Sequence, residues 1–262
     1  MRIPIFQVDA FTEALFGGNP AAVCPLDSWL PDPVLQAIAA ENNLSETAFF
    51  VRDGGDYRLR WFTPGAEVPL CGHATLASAF VILTLLEAGR DAVTFHTLSG
   101  PLTVVPEGDG FAMTLQRKSL DSVTPPAGLP EALGGVPAAW LAGEREYVAV
   151  YETEAEVRAL KPDIRALLGF DRSYVIATAP GERTDFVLRF FAPSVGVDED
   201  PVTGSAQCVA APYWAGRLGR DTLTCHQASK RGGLLRSTVL PGAVRVSGSC
   251  VLYLEGSIVV PR

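Results

Sequence analysis

The sequence has little charge and few of the residues that disulfide frameworks and metal sites require. Only 19% of its 262 residues are Asp, Glu, Lys or Arg, and it contains three histidines and five cysteines. The cysteines are odd in number, scattered, and form no C-x-x-C pair: Cys24, Cys71, Cys208, Cys225 and Cys250. This pattern argues against a disulfide framework or a zinc site and fits a reducing compartment. We therefore expect no metal site.

Runs of basic residues are also missing, which bears on the partners of the protein. The net charge is −8 and the pI is near 4.9, and the densest basic spots are Arg117-Lys118 and Lys230-Arg231. A nucleic-acid surface is therefore not expected. A small anionic ligand is still compatible with the sequence, because helix dipoles act locally whereas the net charge acts at long range.

No apolar run is long enough to cross a membrane. The apolar segment Thr75–Leu86 is far shorter than the ~20 residues that a membrane-spanning helix needs. The N-terminal segment Met1–Phe11 lacks the charged lead and continuous apolar stretch of a signal peptide and is predicted to be a strand. These features predict a cytoplasmic protein that does not interact with membranes.

A repeat organises the chain. Leu59-Arg60-Trp61-Phe62 corresponds to Leu188-Arg189-Phe190-Phe191, and Pro69–Ala74 corresponds to Pro201–Ala206. The second copy is three residues longer, and we place the extra residues in the acidic segment Val197–Asp200. A period near half the chain indicates duplication of one domain rather than a solenoid.

Each copy is predicted to form a strand, a turn, a glycine and then a helix. The helices Thr75–Leu86 and Ser205–Trp214 are apolar on nearly every face, so each is expected to be buried within curled sheet. Gly72 and Gly204 stand at the helix starts, where unpaired backbone N–H groups can bind a carboxylate. The apolar content of 48%, with 25 glycines and 20 prolines, fits a globular fold rich in antiparallel sheet.

The predicted fold class is therefore α+β, with two similar duplicated domains that each wrap a curled, mostly antiparallel sheet around a central apolar helix. The first domain is expected to span residues 1–118 and the second residues 119–262, and the last strand could pack back on the first domain. The segment Arg117–Leu129, which is rich in proline, serine and charge, is predicted to link them.

Four titratable or hydroxyl side chains are candidates for chemistry: Glu46, which precedes an apolar strand, and His73, Asp200 and Ser205, which lie near the helix starts. Each also has a purely structural interpretation. Glu46 could be an acid on a solvated turn, and His73 a satisfied polar group. Asp200 could cap a helix, and Ser205 is an ordinary residue for a helix start.

Cys71 requires separate consideration, because a cysteine before a helix N-terminus can act as a nucleophile or a base. A racemase with two thiols would need one on each face of the substrate carbon, yet the second copy has Thr203 at the corresponding position. The residue pattern favours a small buried thiol at Cys71.

Several motifs together resemble the phenazine-biosynthesis PhzF-like isomerases, whose fold is that of diaminopimelate epimerase. They occur in order along nearly the whole chain: Phe16–Ala21, Ser45–Phe49, Cys71–Thr75 and Asp198–Ala206. The resemblance implies two similar domains with the active site in the cleft between them. It also implies a homodimer and cofactor-free proton transfer on a small carboxylated substrate.

The resemblance also implies roles for particular residues. Glu46 would take and return the proton, and His73, Asp200 and Ser205 would line the site and position the substrate. Gly72 and Gly204 would present N–H groups to its carboxylate, with Asn19 and Thr203 as further binding residues. The segment His226–Gly233 departs from the Gly-Arg-Pro-like segment of some relatives, which puts the substrate pocket in doubt.

Two alternatives remain open at this stage. One is an amino-acid racemase or epimerase of the two-thiol kind, which Thr203 disfavours. The other is a protein of the same duplicated fold that binds a small anion without turnover. Deuterium exchange into carbon distinguishes these classes, because a binding protein labels no carbon.

Overall fold

The structure is a computed structural model that describes residues 1–260. Strands predominate, and the first half contains β1 (Arg2–Ala10), β2 (Asn19–Leu26), α1 (Asp32–Asn42), β3 (Glu46–Asp53), β4 (Asp56–Phe62), β5 (Glu67–Val68), α2 (Gly72–Phe80), a π-helical segment (Val81–Leu86), β6 (Val93–Thr97), β7 (Gly100–Glu107) and β8 (Gly110–Gln116). The second half contains β9 (Asp121–Ser122), α3 (Leu129–Leu133), β10 (Ala139–Ala142), β11 (Glu146–Val150), α4 (Glu154–Ala159), α5 (Ile164–Leu167), β12 (Tyr174–Pro180), β13 (Phe186–Ala192), a 3₁₀ turn (Pro193–Val195), β14 (Val197–Asp200), a second 3₁₀ turn (Gly204–Ala206), α6 (Gln207–Leu218), β15 (Thr222–Gln227), β16 (Gly233–Leu240), β17 (Ala243–Gly248) and β18 (Cys250–Val259).

The chain forms two compact units of mixed α and β structure. One consists of Met1–Thr114 together with Ser247–Arg262, and the other of Leu115–Val246. The last strand, β18, belongs to the first unit and pairs antiparallel with β1. The sequence-based division after residue 118 remains a prediction about which parts fold as independent domains.

In the first unit, the strand pairings bring the start of β3 beside β2. Strand β2 is antiparallel to β1 and parallel to β3, so that Ala21 lies opposite Glu46. Strand β4 is antiparallel to β3 and β5 and parallel to β6. Strand β5 therefore turns back beside the end of β4 and leads directly into α2.

In the second unit, strands pair in the same sequence of directions. Strand β11 is parallel to β12, and β12 is antiparallel to β13. Strand β13 is in turn antiparallel to β14 and parallel to β15. Strands β2 to β6 follow this order in the first unit. Duplication of one ancestral domain explains the correspondence and remains a hypothesis about its origin.

Helix α2 is almost entirely buried, although it contains polar residues. Every residue from His73 to Ala79 is buried, including Thr75 and Ser78. The Thr75 hydroxyl donates to the Cys71 carbonyl at 2.6 Å and the Ser78 hydroxyl to the Ala74 carbonyl at 2.7 Å. These bonds to the preceding turn satisfy both hydroxyls within the helix, so the helix can be surrounded by apolar groups.

Burial of the first predicted helix ends before its last turn. Val81, Ile82 and Leu83 are buried, but Leu85 and Leu86 are 38% and 47% exposed, so the expectation for Thr75–Leu86 is wrong at its C-terminal end. Helix α6 likewise extends beyond the predicted Trp214 to an exposed Leu218. Within residues 1–260, no helix combines the length and apolar character needed to span a membrane.

An arginine–glutamate ion pair joins β4 to the short strand β5 before α2, and a second one joins β13 to the short strand β14 before α6. Arg60 binds Glu67 through two hydrogen bonds of 2.7 Å, and Arg189 binds Glu199 through bonds of 2.7 and 2.8 Å. Glu199 thus corresponds to Glu67. On this correspondence the three extra residues of the second copy lie between Arg189 and Glu199, and their placement in Val197–Asp200 stays a prediction.

The sequence analysis did not predict the short strands β9 and β14. The acidic segment Val197–Asp200 is strand β14, which pairs antiparallel with β13. The predicted linker Arg117–Leu129 contains β9, which pairs with β10 in the second unit. Two-residue and four-residue strands show too few alternations for a period of two to be visible, so only their pairing reveals them.

Candidate functional site

Glu46 and His73 form a buried acid–imidazole pair in the first unit. Glu46 begins β3 and its side chain is 14% exposed, whereas the His73 side chain is 5% exposed. The Glu46 Oε2 atom lies 3.2 Å from His73 Nε2, an ion-pair distance without hydrogen-bond geometry. Neither atom has a hydrogen-bond partner among residues 1–260, so both are available to a bound molecule.

Asn19 and Cys71 contact the other nitrogen of the His73 ring. The Asn19 Nδ2 atom lies 3.1 Å from His73 Nδ1, and the Cys71 Sγ atom lies 3.5 Å from it. In the neutral ring Nδ1 accepts from these donors, which places the ring proton on Nε2, facing Glu46. A rotated amide presents its oxygen to the charged ring, so Asn19 can hold the imidazole in either protonation state.

The surroundings of His73 favour its charged form. Burial opposes the imidazolium, but the neighbouring Cys71 and Glu46 side chains raise the pKa of His73 well above its usual value. The pair therefore has the composition of a general acid–base site.

Cys71 is a buried thiol rather than a reactive thiolate. Burial and, secondarily, the charge of Glu46 raise the pKa of Cys71 to about 11. At neutral pH this thiol is protonated and is a poor nucleophile and a poor base. Its role in the structure is to contact the edge of the His73 ring.

Replacing Cys71 by serine is expected to reduce turnover by less than about tenfold, since the proton transfer does not require the thiol. Serine retains a small polar group beside His73. The measurement is the rate of solvent deuterium incorporation into substrate, with circular dichroism to verify folding. A folded but inactive Cys71→Ser protein would instead support thiol chemistry.

The same three side chains could be considered as metal ligands. The donor atoms of Glu46, Cys71 and His73 all lie within 4.8 Å of one another. The carboxylate, however, faces Nε2 and the thiol faces Nδ1, on different edges of one ring. An ion bound to either nitrogen would lose one of the other two donors. The arrangement favours a proton relay over metal coordination.

In the second unit, Asp200, Thr203 and Gln227 form a connected hydrogen-bond network. The Thr203 hydroxyl donates to Asp200 Oδ2 at 2.5 Å. The completely buried Gln227 accepts from the Thr203 N–H at 2.8 Å. Its Nε2 donates to the Asp200 carbonyl at 2.8 Å and to Thr203 Oγ1 at 3.0 Å. The side chain of Gln227 thus closes the loop between β14 and the helix start.

This network uses both hydrogen-bond donors of Thr203 internally. Its N–H is committed to Gln227 and its hydroxyl to Asp200. The geometry favours a role for Thr203 in orienting Asp200, whereas the sequence analysis predicted a substrate contact. Gln227 was missed as a functional candidate, although it lies in the segment His226–Gly233 that departs from some relatives.

Replacing Thr203 by valine is expected to lower kcat/KM by roughly tenfold or more, because Asp200 loses a charged hydrogen bond. Valine keeps the shape and the backbone N–H, so the loop should persist. Thr203→Ser restores the hydroxyl and should recover most of the activity. The measurement compares deuterium incorporation by both variants. Equal loss in both, or none in the valine variant, would exclude the orienting role.

The two predicted helix starts lack side-chain caps. Cys71 precedes Gly72 at the start of α2, and Thr203 precedes Gly204 at the start of the 3₁₀ turn that leads into α6. Neither capping position has a side-chain cap hydrogen bond, and Ser205 is half-buried. The structure thus brings Asn19, Glu46 and His73 together in the first unit, and places Asp200 and Thr203 in contact just before Gly204 and Ser205 in the second.

The amino-acid sequence is similar to those of known proteins. The profile of the family "Phenazine biosynthesis-like protein" matches residues 8–256. An uncharacterized isomerase of Pseudomonas aeruginosa is 51% identical over 98% of this chain and 99% of its own length. A human phenazine biosynthesis-like domain-containing protein is 37% identical over 98% of this chain and 99% of its own length.

Solved structures agree in fold. A PhzF-family protein from Enterococcus faecalis is 41% identical, with a TM-score of 0.96 over 99% of this chain and all of its own. A hydroxyproline epimerase from Agrobacterium vitis has a TM-score of 0.62 at 11% identity, covering 98% of this chain and 91% of its own. The second likeness concerns the fold alone.

Proposed function

Since the chain belongs to the phenazine biosynthesis-like family and is an isomerase, we propose that it moves a proton within a small carboxylated substrate without a cofactor. The substrate class and the absence of a cofactor follow from the resemblance to PhzF-like isomerases. The observation that supports this chemistry best is the buried pair of Glu46 and His73.

Glu46 is proposed to be the acid–base group. Its ionised carboxylate takes a proton from a substrate carbon and becomes a neutral acid, leaving the electron pair in a conjugated system. The same carboxyl group then returns the proton to a second carbon, so that the enzyme ends the cycle unchanged. His73 faces the reacting oxygen at 3.2 Å and stabilises its charged form before and after the transfer.

The helix starts are proposed to stabilise the substrate's charge. Removal of a carbon-bound proton creates negative charge, which fixed N–H dipoles stabilise without reorganisation. The backbone N–H groups of Gly72 in the first unit and of Gly204 in the second would donate to a carboxylate or an enolate oxygen, and neither helix start has a side-chain cap. Asp200 and Ser205 would position polar groups of the substrate.

Two features weigh against the two-thiol racemase. Cys71 has a pKa of about 11 and is protonated at neutral pH. The corresponding position in the second unit is Thr203, whose hydroxyl is bonded to Asp200. A reaction that uses one carboxyl group for both proton transfers fits these residues better than one that uses a pair of thiols.

The test is incubation of the protein in D₂O with a dihydro-hydroxyanthranilate and, separately, with a panel of L-amino acids including proline. We expect deuterium in the ring carbon of the first compound and none at the α-carbon of the amino acids. α-Carbon labelling with inversion would establish the racemase instead. Binding measured by calorimetry without labelling of any compound would establish a binding protein.

The proposal also includes a homodimer, as the resemblance implies. Light scattering over a range of protein concentrations measures the mass in solution. A mass that stays at one chain at every concentration would remove the dimer from the proposal without affecting the chemistry at Glu46.

A further inference from the structure

Trp61 carries a buried hydrogen-bond donor that the fold leaves unpaired. Its side chain is 1% exposed, and its indole Nε1–H has no hydrogen-bond partner among residues 1–260. An orphaned buried donor is uncommon because its desolvation is not compensated. The position therefore requires an explanation outside the packing of the core.

Another buried tryptophan shows the usual solution. In the second unit, Trp214 is 2% exposed and its Nε1–H donates to the Thr178 hydroxyl at 2.9 Å. In contrast to the Trp214 donor, the Trp61 donor is therefore free to bond to a bound molecule.

The sheet face on which Trp61 lies follows from its neighbours. The adjacent Phe62 packs with Phe49 and with Leu35 of α1 on one face of the sheet. Because side chains alternate along a strand, Trp61 lies on the opposite face. Ala48 lies opposite Trp61 on β3, and alternation puts it on that face as well.

This face is also that of the acid–base pair. Glu46 is two residues before Ala48, so it shares the face and stands diagonally across from Trp61. Diagonal neighbours lie ~7–8 Å apart, within reach of an aromatic side chain. On its other side Trp61 pairs with Val68 of β5, the strand that leads to Cys71 and His73. Glu46 Oε2 and His73 Nε2 are orphaned polar atoms on the same face.

We propose that the indole N–H of Trp61 is a substrate-binding donor, which bonds to a hydroxyl, carbonyl or carboxylate oxygen of the compound on which Glu46 acts. The inference rests on the proposed function for the identity of the bound molecule. It adds a neutral donor to the charged groups at this site. Such a donor selects substrates with an acceptor oxygen next to the reacting carbon.

The test observes the indole N–H groups directly by two-dimensional NMR of the ¹⁵N-labelled protein. The four indole signals come from Trp29, Trp61, Trp140 and Trp214, and Trp61→Phe and Trp214→Phe each remove one signal for assignment. The first measurement is exchange of the indole proton in D₂O without ligand. We expect Trp61 to exchange much faster than Trp214, because its N–H faces a ligand site.

The second measurement adds anthranilate, an aromatic carboxylate that the enzyme need not turn over. We expect a downfield shift of the Trp61 indole proton as it gains an acceptor, while Trp214 remains unchanged. Protection of Trp61 equal to that of Trp214 in the free protein would overturn the proposal. So would an unchanged Trp61 signal when anthranilate moves the Gly72 amide. If anthranilate moves no signal, the exchange rates alone decide.

These measurements do not depend on turnover, so they separate this inference from the proposed reaction. Fast exchange of the Trp61 indole proton without deuterium in any substrate carbon would support Trp61 as a binding donor and exclude the isomerase chemistry. Deuterium in the substrate carbon together with slow exchange of the Trp61 indole proton would support the isomerase chemistry and overturn the role of Trp61 as a binding donor.

Discussion

Replacing Glu46 by glutamine is expected to lower turnover by about 10²- to 10⁴-fold, the usual contribution of a general acid–base group. An amide cannot accept the proton from carbon, although it has nearly the shape of the carboxylate. The measurement is deuterium incorporation from D₂O into a dihydro-hydroxyanthranilate, with KM determined separately. The KM should change little, because the loss concerns the transfer step.

A matched control comes from Glu41, an exposed glutamate near the end of α1. Glu41→Gln removes the same charge and should retain the full rate. Circular dichroism and unfolding experiments should show that both variants fold. A Glu46→Gln protein with the rate of the unmodified enzyme would show that Glu46 is a structural residue, and the proposed mechanism would then be wrong.

Replacing Arg189 by methionine is expected to lower the free energy of unfolding by roughly 2–4 kcal/mol. The Arg189 side chain is 12% exposed, binds both carboxylate oxygens of Glu199 and donates to the Leu160 carbonyl at 2.8 Å. Its loss leaves a largely buried carboxylate and a carbonyl without their donor. Urea unfolding monitored by circular dichroism measures the change.

Arg58 provides the comparison, because its ion pair with Asp53 is exposed, with side chains 62% and 46% accessible. Solvent-exposed pairs of this kind contribute little to stability, so Arg58→Met should have a small effect. Replacing Glu199 by methionine in the Arg189→Met background should recover part of the lost stability, because the unpaired charge disappears. Equal effects of Arg189→Met and Arg58→Met would show that the Glu199 pair contributes little.

The sequence predicted secondary structure best where a pattern of apolar residues and glycines extends over many positions. The strand–turn–glycine–helix pattern was recognised in both copies because strong apolar stretches and glycines mark it. The start of β3 was more difficult to predict: the structural interpretation of Glu46 was an acid on a solvated turn, whereas Glu46 is the first residue of the strand. Pairing with β2 extends the strand to that position, and pairing with a distant segment is not visible in local sequence.

The acid–base pair was predicted only as separate residues. Glu46, His73 and Asn19 were all selected from the sequence, but their contact depends on β2, β3 and the start of α2 meeting in space. The distances of 3.2 Å and 3.1 Å to the two nitrogens of one ring could not be predicted from spacing along the chain. These distances show that the His73 ring lies between the Glu46 carboxylate and the Asn19 amide.

The roles of Thr203 and Gln227 were not predictable for a similar reason. A threonine before a glycine-led helix start suggests a substrate contact, and a glutamine at the end of β15 suggests nothing particular. Their network with Asp200 joins residues that are more than twenty positions apart along the chain. Only the parallel pairing of β13 with β15 brings Gln227 to the helix start.

By itself, the sequence determined the α+β class, the isomerase family and the residue types available for proton transfer. These follow from apolar periodicity, glycine positions and ordered motifs, which are local properties of the chain. The tertiary structure decided which of these residues touch, which hydrogen-bond donors are already used and which, like that of Trp61, remain unpaired. Such facts depend on strand register and burial, because a partner for a polar group is supplied by whichever segment folding brings beside it.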